Sequence, residues 1–275
     1  MPWFENRRGE RLWYEDAGAG RPVVLLHGWC MSAAVWQFQF DNLAGSMRLI
    51  APDLRGHGHS QGVSGPLDFA RLGEDLADLC ERLDLTEVIL VGWSLGGQIA
   101  LHAHAALAGR LAGLALVGTT PCFTATADFP FGLATSEAAG MRLKVQRNLQ
   151  RARDGFFTRL FADDELTEHP DAPIIAALLA AIPLPDSDAA LAALDALAGT
   201  DMRGLLAAVT VPVLVMNGAL DKICLPEASR YLHEHLPSSA QTVFPHCGHA
   251  PFLTHSRQFN TELERFIRSI RGPNA

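Results

Sequence analysis

An α/β protein with a mostly parallel central sheet flanked by helices, carrying an inserted helical cap, is predicted by three features of the sequence. Short apolar runs of strand length alternate with stretches of helical periodicity. A G-x-S-x-G set stands directly between one such strand and the helix after it. One long stretch, 118–210, contains no convincing strand and interrupts the alternation.

The elements follow in chain order. Arg11–Asp16 reads as a strand that ends at the Ala17-Gly18-Ala19-Gly20 turn. Pro22–Leu26 is almost wholly apolar, the pattern of a parallel strand buried on both faces, and Met47–Ala51 repeats it. Leu72, Leu76, Leu79 and Leu83 give Phe69–Leu83 a helical apolar face. Val88–Val91 is the next strand, Gln98–Leu107 the next helix, and Leu114–Val117 a further strand. Val211–Met216 and Gln241–Phe244 complete the strands. Gln258–Ile270 closes the chain as an amphipathic helix with Phe259, Leu263, Phe266, Ile267 and Ile270 on its apolar side. The strandless stretch is helical in pattern, jointed at Pro121, Pro130, Pro170, Pro173, Pro183 and Pro185, and rich in Ala between 172 and 208. An insert of that length implies a cap over the carboxyl ends of the strands, where open α/β sheets bind ligands. The expected division is a core of 1–119 and 188–275 with a cap of 120–187.

Composition limits the function. The chain has 275 residues, 48% of them hydrophobic and 19% charged, which suits one globular core and not a disordered chain. A net charge of −8 offers no basic footprint, so no nucleic-acid partner is expected. No apolar run is long enough for a membrane span, and the N-terminus lacks an apolar signal core, so neither membrane insertion nor secretion is expected. The five cysteines are scattered and form no C-x-x-C, which argues against zinc and against a disulfide framework. A cytoplasmic monomer is the expectation.

The chemistry centres on Gly92-Trp93-Ser94-Leu95-Gly96, preceded by Val88-Ile89-Leu90-Val91. A strained strand-to-helix turn there lifts the Ser94 hydroxyl above the sheet, and the helix N-terminus behind it favours developing negative charge. A serine hydroxyl needs a base, and the acid and base of this architecture follow the serine in that order. Asp221, just past the strand Val211–Met216, and His249, in the loop after the last strand, stand at those places. Ser94, Asp221 and His249 are therefore the candidate catalytic residues. The oxyanion hole needs two backbone N–H groups. Leu95, just after the nucleophile, is one candidate and Trp29, in the loop after Pro22–Leu26, the other. The Trp29 ring would then wall the pocket. No metal or organic cofactor is needed: His57/His59 lie in a turn, and His102/His104 point to different sides of a helix. Asp53 and Arg55 read as braces for the strand-end loops. Cys30, Cys122 and Cys247 fall near the site in sequence but have no paired base.

Together, His27-Gly28-Trp29, Pro52 to Ser60 (PDLRGHGHS), Gly92 to Gly97 (GWSLGG), Gly218-Ala219-Leu220-Asp221 and Gly248-His249-Ala250-Pro251-Phe252 resemble the α/β-hydrolase superfamily over nearly the whole chain outside the cap. A narrower resemblance lies in Gly92 to Gly97, Pro121-Cys122-Phe123-Thr124-Ala125, and His249-Ala250-Pro251-Phe252 with His255. These resemble the pimeloyl-[acyl-carrier protein] methyl ester esterases of biotin synthesis. That resemblance implies hydrolysis of the methyl ester of a long acyl chain held by acyl-carrier protein. It also implies a cap that lines the acyl pocket, matched here by Phe156-Phe157-Thr158-Arg159-Leu160, and cap arginines that meet the carrier. The substrate-binding set it suggests is Trp29, Ser94, Leu95, Phe156, Phe157, Thr158, Arg159, Leu160 and His249, with Arg147, Arg151 and Arg159 toward the carrier.

The cap has a charge pattern of its own. Arg142, Lys144, Arg147, Arg151, Arg153 and Arg159 are opposed within that segment only by Asp154. Met141, Val145 and Leu149 fall on one helical face while Lys144, Arg147 and Arg151 share another. A basic patch would steer an acidic carrier to the pocket mouth; a merely solvated helix face has the same pattern. Phe123, Phe129, Phe131, Phe156, Phe157 and Phe161 suit either an acyl channel or a small core within the cap. Alternatives within the fold are a broad carboxylesterase, a carbon–carbon bond hydrolase and a cofactor-free haloperoxidase-like enzyme. A ligand receptor that keeps the triad is the non-enzyme alternative.

Overall fold

The computed structural model describes residues 2–63 and 65–270. Its centre is a sheet of eight strands: β1 (Trp3–Glu5), β2 (Arg11–Ala17), β3 (Pro22–Leu26), β4 (Arg48–Pro52), β5 (Val88–Trp93), β6 (Leu111–Val117), β7 (Val213–Gly218) and β8 (Ser239–Phe244). The spatial order is β1-β2-β4-β3-β5-β6-β7-β8. β1 and β2 pair antiparallel at one edge, β2 also runs antiparallel to β4, and every other pairing is parallel. The middle strands explain their own place. Every residue of β5, β6 and β7 is buried, and only unbroken apolar runs tolerate helices on both faces.

Helices α1 (Gln37–Leu43), α2 (Phe69–Arg82) and α3 (Leu95–Ala103) belong to the first half of the core. The Asp68 side chain caps α2 by accepting from the Arg71 amide at 2.8 Å. α3 starts immediately after Ser94, earlier than the expected Gln98, because Gly96 and Gly97 let the helix begin against the strand ends. β7 starts at Val213, after Pro212, whose missing N–H cannot join a ladder.

The strandless stretch folds as α4 (Thr135–Arg147), α5 (Leu149–Phe157), α6 (Ala172–Ala181) and α7 (Ser187–Gly199), with a 3₁₀ turn at Arg203–Ala208 before β7. α7 packs against α4, and its Leu194 and Leu197 face the same pocket as Met141 of α4. We propose on that basis that α7 belongs with the cap, which carries its end from the expected 187 to about residue 199. The chain closes with α8 (Pro226–His235), α9 (Pro251–Thr254) and α10 (Ser256–Ser269).

The strand order places the site. From β3 the chain passes to β4 on one side, whereas from β5 it passes to β6 on the other. The loops after β3 and β5 therefore diverge and leave a crevice at the sheet's carboxyl edge. Leu26 of β3 pairs with Gly92 of β5, so the His27-Gly28-Trp29 loop and Ser94 leave the sheet side by side.

Candidate active site

Ser94 sits between β5 and α3 with φ 55° and ψ −115°, a conformation that L-residues rarely adopt. Close backbone contact on both sides enforces it. A Cβ on Gly92 would lie 2.3 Å from the Gly96 carbonyl oxygen, and one on Gly96 would lie 2.3 Å from the Leu26 carbonyl oxygen. The two glycines let α3 approach β3 and β5 closely enough to turn the chain at Ser94. The Ser94 amide donates to Val117 O at 2.9 Å, and Thr119 Oγ1 donates to Ser94 O at 2.8 Å.

The loop beside it is held by a buried histidine. His27 Nε2 accepts from the Leu54 amide at 3.0 Å, so its proton is on Nδ1, which donates to Gly28 O at 2.8 Å. Burial, with His57 adding repulsion, pushes the His27 pKa down to about 3. The ring stays neutral and keeps the hydrogen-bond pattern that shapes the turn. Trp29 follows. Its Nε1 donates to Ala190 O of α7 at 2.9 Å, and its ring meets Phe156 of α5 edge-on at 5.0 Å. Among the described residues, the Trp29 and Leu95 amides donate to no protein acceptor.

Asp221 and His249 come from the loops after β7 and β8. Asp221 Oδ1 accepts from the Ile223 and Cys224 amides at 2.8 and 3.0 Å, which fixes the carboxylate. Asp221 Oδ2 accepts from His249 Nδ1 at 2.7 Å. That proton assignment leaves Nε2 with its lone pair, and Nε2 is buried with no partner among the described residues. The His249 amide donates to Leu160 O at 2.6 Å, its carbonyl accepts from Trp93 Nε1 at 2.9 Å, and its ring lies 5.4 Å from the Trp93 ring. His249 is thus seated on the residue next to Ser94.

Ser94 opens into a pocket walled by Trp29, Phe123, Phe156, Leu194, Leu197 and Ile223, with Arg159 at its rim. The volume is only about 20 Å³, room for about one water. A wider groove of about 620 Å³ lies outside it and shares Met141, Phe156 and Arg159 with the pocket wall. Lys144, Arg147, Arg151 and Arg159 line this groove, with Glu137 the one acid among its lining residues.

The other residues read from sequence are spread around these spaces. Phe157 is half-buried beneath the Arg153 guanidinium at 5.2 Å and does not line the pocket. Thr158 is exposed and bonds to Gly155 O. Leu160 is fully buried and reaches His249 through its backbone carbonyl, and the Leu95 side chain is buried behind the turn. Arg159 pairs with Glu137 at 2.7 Å, Arg142 pairs with Asp195 at 2.7 Å, and Arg153 is buried with a bond to Ile182 O. Lys144, Arg147 and Arg151 have no ion pair among the described residues. Of the cap phenylalanines, Phe123 and Phe156 face the pocket, whereas Phe129 and Phe131 pack with Tyr231 in a separate cluster.

Sequence reading missed three features. Cys224 is buried beside Asp221, whose carboxylate accepts from its amide at 3.0 Å, and burial with the Asp221 charge raises its thiol well above the ordinary range, so it is a neutral thiol. The pocket leucines Leu194 and Leu197 lie in the alanine-rich run, where the apolar side has little contrast. Glu165 lies against the His249 loop. Glu165, Cys247 and His255 bring donor atoms within 4.8 Å of one another. The Glu165 carboxylate is already engaged there by two amides and a hydroxyl, the pattern of a hydrogen-bonded clamp.

The chain matches the alpha/beta hydrolase fold family over residues 21–256. It belongs to the α/β-hydrolase family. Within the family it is 35% identical to a pimeloyl-[acyl-carrier protein] methyl ester esterase of Nitrosomonas europaea, over 89% of this chain and 95% of that protein. It is 32% identical to the protein of the same name from Pectobacterium atrosepticum, over 94% of this chain and 99% of that one. Among solved structures, an esterase from Exiguobacterium antarcticum superposes with a TM-score of 0.89 at 28% identity, covering 97% of this chain and 98% of that one.

Proposed function

We propose that the protein is a serine carboxylic ester hydrolase that cleaves the methyl ester of a pimeloyl-type acyl chain carried on acyl-carrier protein, in biotin synthesis. The observation that carries the chemistry is the His249–Asp221 bond, which leaves Nε2 unprotonated and unengaged beside the strained Ser94 turn. In the proposed reaction His249 Nε2 takes the Ser94 hydroxyl proton as Oγ attacks the ester carbonyl. The oxyanion forms against the Trp29 and Leu95 amides. The carbonyl–methoxy bond then breaks, and methanol leaves with the proton from His249. Water attacks the acyl-enzyme and gives one proton to Nε2, which returns it to Ser94 Oγ as the acyl–Oγ bond breaks; the carboxylic acid so released gives its remaining proton to solvent and departs as the carboxylate. Asp221 stabilises the imidazolium throughout and keeps the tautomer.

Three observations support the substrate. Relatives covering nearly the whole chain carry that name. The pocket wall is apolar, as an acyl chain requires. The cationic groove meets that pocket at Met141, Phe156 and Arg159, so an acidic carrier resting on Arg147, Arg151 and Arg159 would deliver its acyl arm to Ser94. We take the enzyme to act as a cytoplasmic monomer, a setting consistent with five buried cysteines that are all free. No helix among the described residues is long and apolar enough to cross a membrane.

A broad carboxylesterase is the second reading, favoured by the small volume over Ser94, which suits a short acyl group unless the cap moves. Turnover of pimeloyl-carrier methyl ester against p-nitrophenyl esters of graded length separates the two. A preference for the carrier-linked ester, with restored growth of a biotin-requiring strain lacking its own methyl ester esterase, is the expected result. Equal rates on free and carrier-linked esters, with failed complementation by folded protein, overturn it. Ser94→Ala is expected to lower kcat by roughly 10,000-fold or more without changing Tm.

A further inference from the structure

The segment of the cap between α5 and α6 makes more contact with the catalytic loop than a lid requires. Glu165 Oε2 accepts from the Gly248 amide at 2.7 Å, directly before His249, and from the Ala162 amide at 2.7 Å. Its Oε1 accepts from Thr254 Oγ1 at 2.5 Å, on the far side of His249. Leu160 O takes the His249 amide itself. His169 completes the grip. Its Nδ1 accepts from the Asp171 amide, so its Nε2 carries the proton and donates to Thr254 O at 2.8 Å. Cap residues 160–169 therefore bind both flanks of the loop that carries His249.

The fit leaves no room for slack. A Cβ on Gly248 would lie 2.6 Å from Leu160 O and 2.7 Å from the Ala162 nitrogen. The carboxylate is also the acceptor for three donors at once, and removing it would leave the Gly248 and Ala162 amides without a partner and turn the Thr254 hydroxyl to His255 Nδ1, its other neighbour at 3.0 Å. The Asp221 loop is tied to the same place, because the Leu220 amide donates to Cys247 O at 2.9 Å. Movement of Gly248 thus displaces both members of the His249–Asp221 pair.

We propose that Glu165 is a positioning residue for His249: by clamping the Gly248 amide and the Thr254 hydroxyl, this cap side chain holds the imidazole in line with Ser94, so that seating of the cap and placement of the base are a single structural event. The inference rests on the assignment of His249 as the base. It makes the cap part of the catalytic apparatus rather than only a wall of the acyl pocket. α5, which carries Arg151 and Phe156, leads directly into this segment, so a carrier pressed against the groove would bear on the same clamp.

The test compares Glu165→Ala, Glu165→Gln and Thr254→Val on p-nitrophenyl butyrate, a substrate too small to need the carrier groove. Glu165→Ala is expected to lower kcat by about 10- to 100-fold, the cost of a displaced catalytic group, with KM within about two-fold of wild type. Glu165→Gln keeps a carbonyl for the Gly248 amide and is expected to recover to within about three-fold, and Thr254→Val to lose about three-fold in kcat. The low-field proton resonance of the His249–Asp221 bond should weaken in Glu165→Ala and return in Glu165→Gln. An unchanged kcat in Glu165→Ala, a loss confined to KM, or a glutamine variant as poor as the alanine one overturns the proposal. If Glu165→Ala does not fold, unchanged kcat in Thr254→Val overturns it instead. Should the wild type hydrolyse no ester, the enzymatic reading fails on its own, and the resonance still reports whether Glu165 holds the pair together.

Discussion

The two halves of the site are built by different means. The half proposed to supply the nucleophile, Ser94 with the His27-Gly28-Trp29 loop, rests on the central strands. Its geometry comes from backbone contacts so close that only glycine fits at Gly92 and Gly96, and from a neutral imidazole fully enclosed by the core. The half proposed to supply the base, Asp221 and His249, stands on loops beyond β7 and β8 and depends on side-chain hydrogen bonds, several of them from the cap. A contact made by strand packing is lost only with the fold. A contact made by a loop clamp can be lost while the fold survives. Apart from the Ser94 hydroxyl itself, changes to the glycines and the imidazole that shape the first half should therefore be read out as stability, and changes to the hydrogen bonds of the second as rate.

The largest effect expected from this difference is in the base half. Asp221→Asn should lower kcat by about 10,000-fold, because the amide favours the wrong imidazole tautomer, while Tm stays within a few degrees. A Tm collapse in that variant would erase the distinction between the halves. In the nucleophile half, Gly96→Ala should cost at least about 3 kcal/mol in urea denaturation, since its Cβ meets backbone that cannot retreat. A folded, inactive Gly96→Ala would show that the turn tolerates more than its geometry implies.

Smaller effects sharpen the comparison at its edges. Reversing Arg147 and Arg151 to Glu should reduce kcat/KM for the carrier-linked ester by about 10-fold and spare p-nitrophenyl butyrate, because exposed charges act on encounter. Equal loss on both substrates would instead mean that the substitutions disturb the cap. His27 supplies the pH arm. Its folded pKa, about 3, lies below the ordinary 6.5, so the unfolded chain binds the proton first as pH falls. Stability from this group is complete above about pH 6.5 and is lost as pH falls from there toward 3, at a limiting slope of about 1.4 kcal/mol per pH unit. His57, also lowered by burial, acts in the same direction. Denaturation midpoints measured from pH 7 to 4 check this, and an imidazole signal of His27 titrating near 6.5 would contradict it.

Much of this was legible in the linear chain because it is local or periodic. β3 and β5 are runs of buried apolar residues whose type follows from composition alone, and the Ser94 turn is a short-range steric motif. Helix ends were less legible. α3 begins at Leu95 because Gly96 and Gly97 touch β3 and Thr119, contacts absent from any local window. The short strand β1 and helix α1 have too few residues to establish a period. In the cap, the run of basic residues looked nearly unopposed because Glu137 and Asp195, the partners of Arg159 and Arg142, lie outside it. Phe157, Thr158 and Leu160 stood beside Phe156 in sequence, yet a helix end turns neighbouring side chains in different directions, and only Phe156 of these four faces the pocket.

The sequence by itself determined the alternation of strands and helices, the strained serine turn and the chain order of alcohol, acid and imidazole, since each depends on residues within a few positions of one another or on a fixed succession. Tertiary structure alone decided which nitrogen of His249 is left available, that the Cys224 amide helps to hold the Asp221 carboxylate, and that Glu165 grips the loop of His249 from 83 residues away. The reason is physical. Hydrogen bonds and burial act over a few ångströms in space, and no periodicity in the chain records which distant loops the folded sheet brings within that reach.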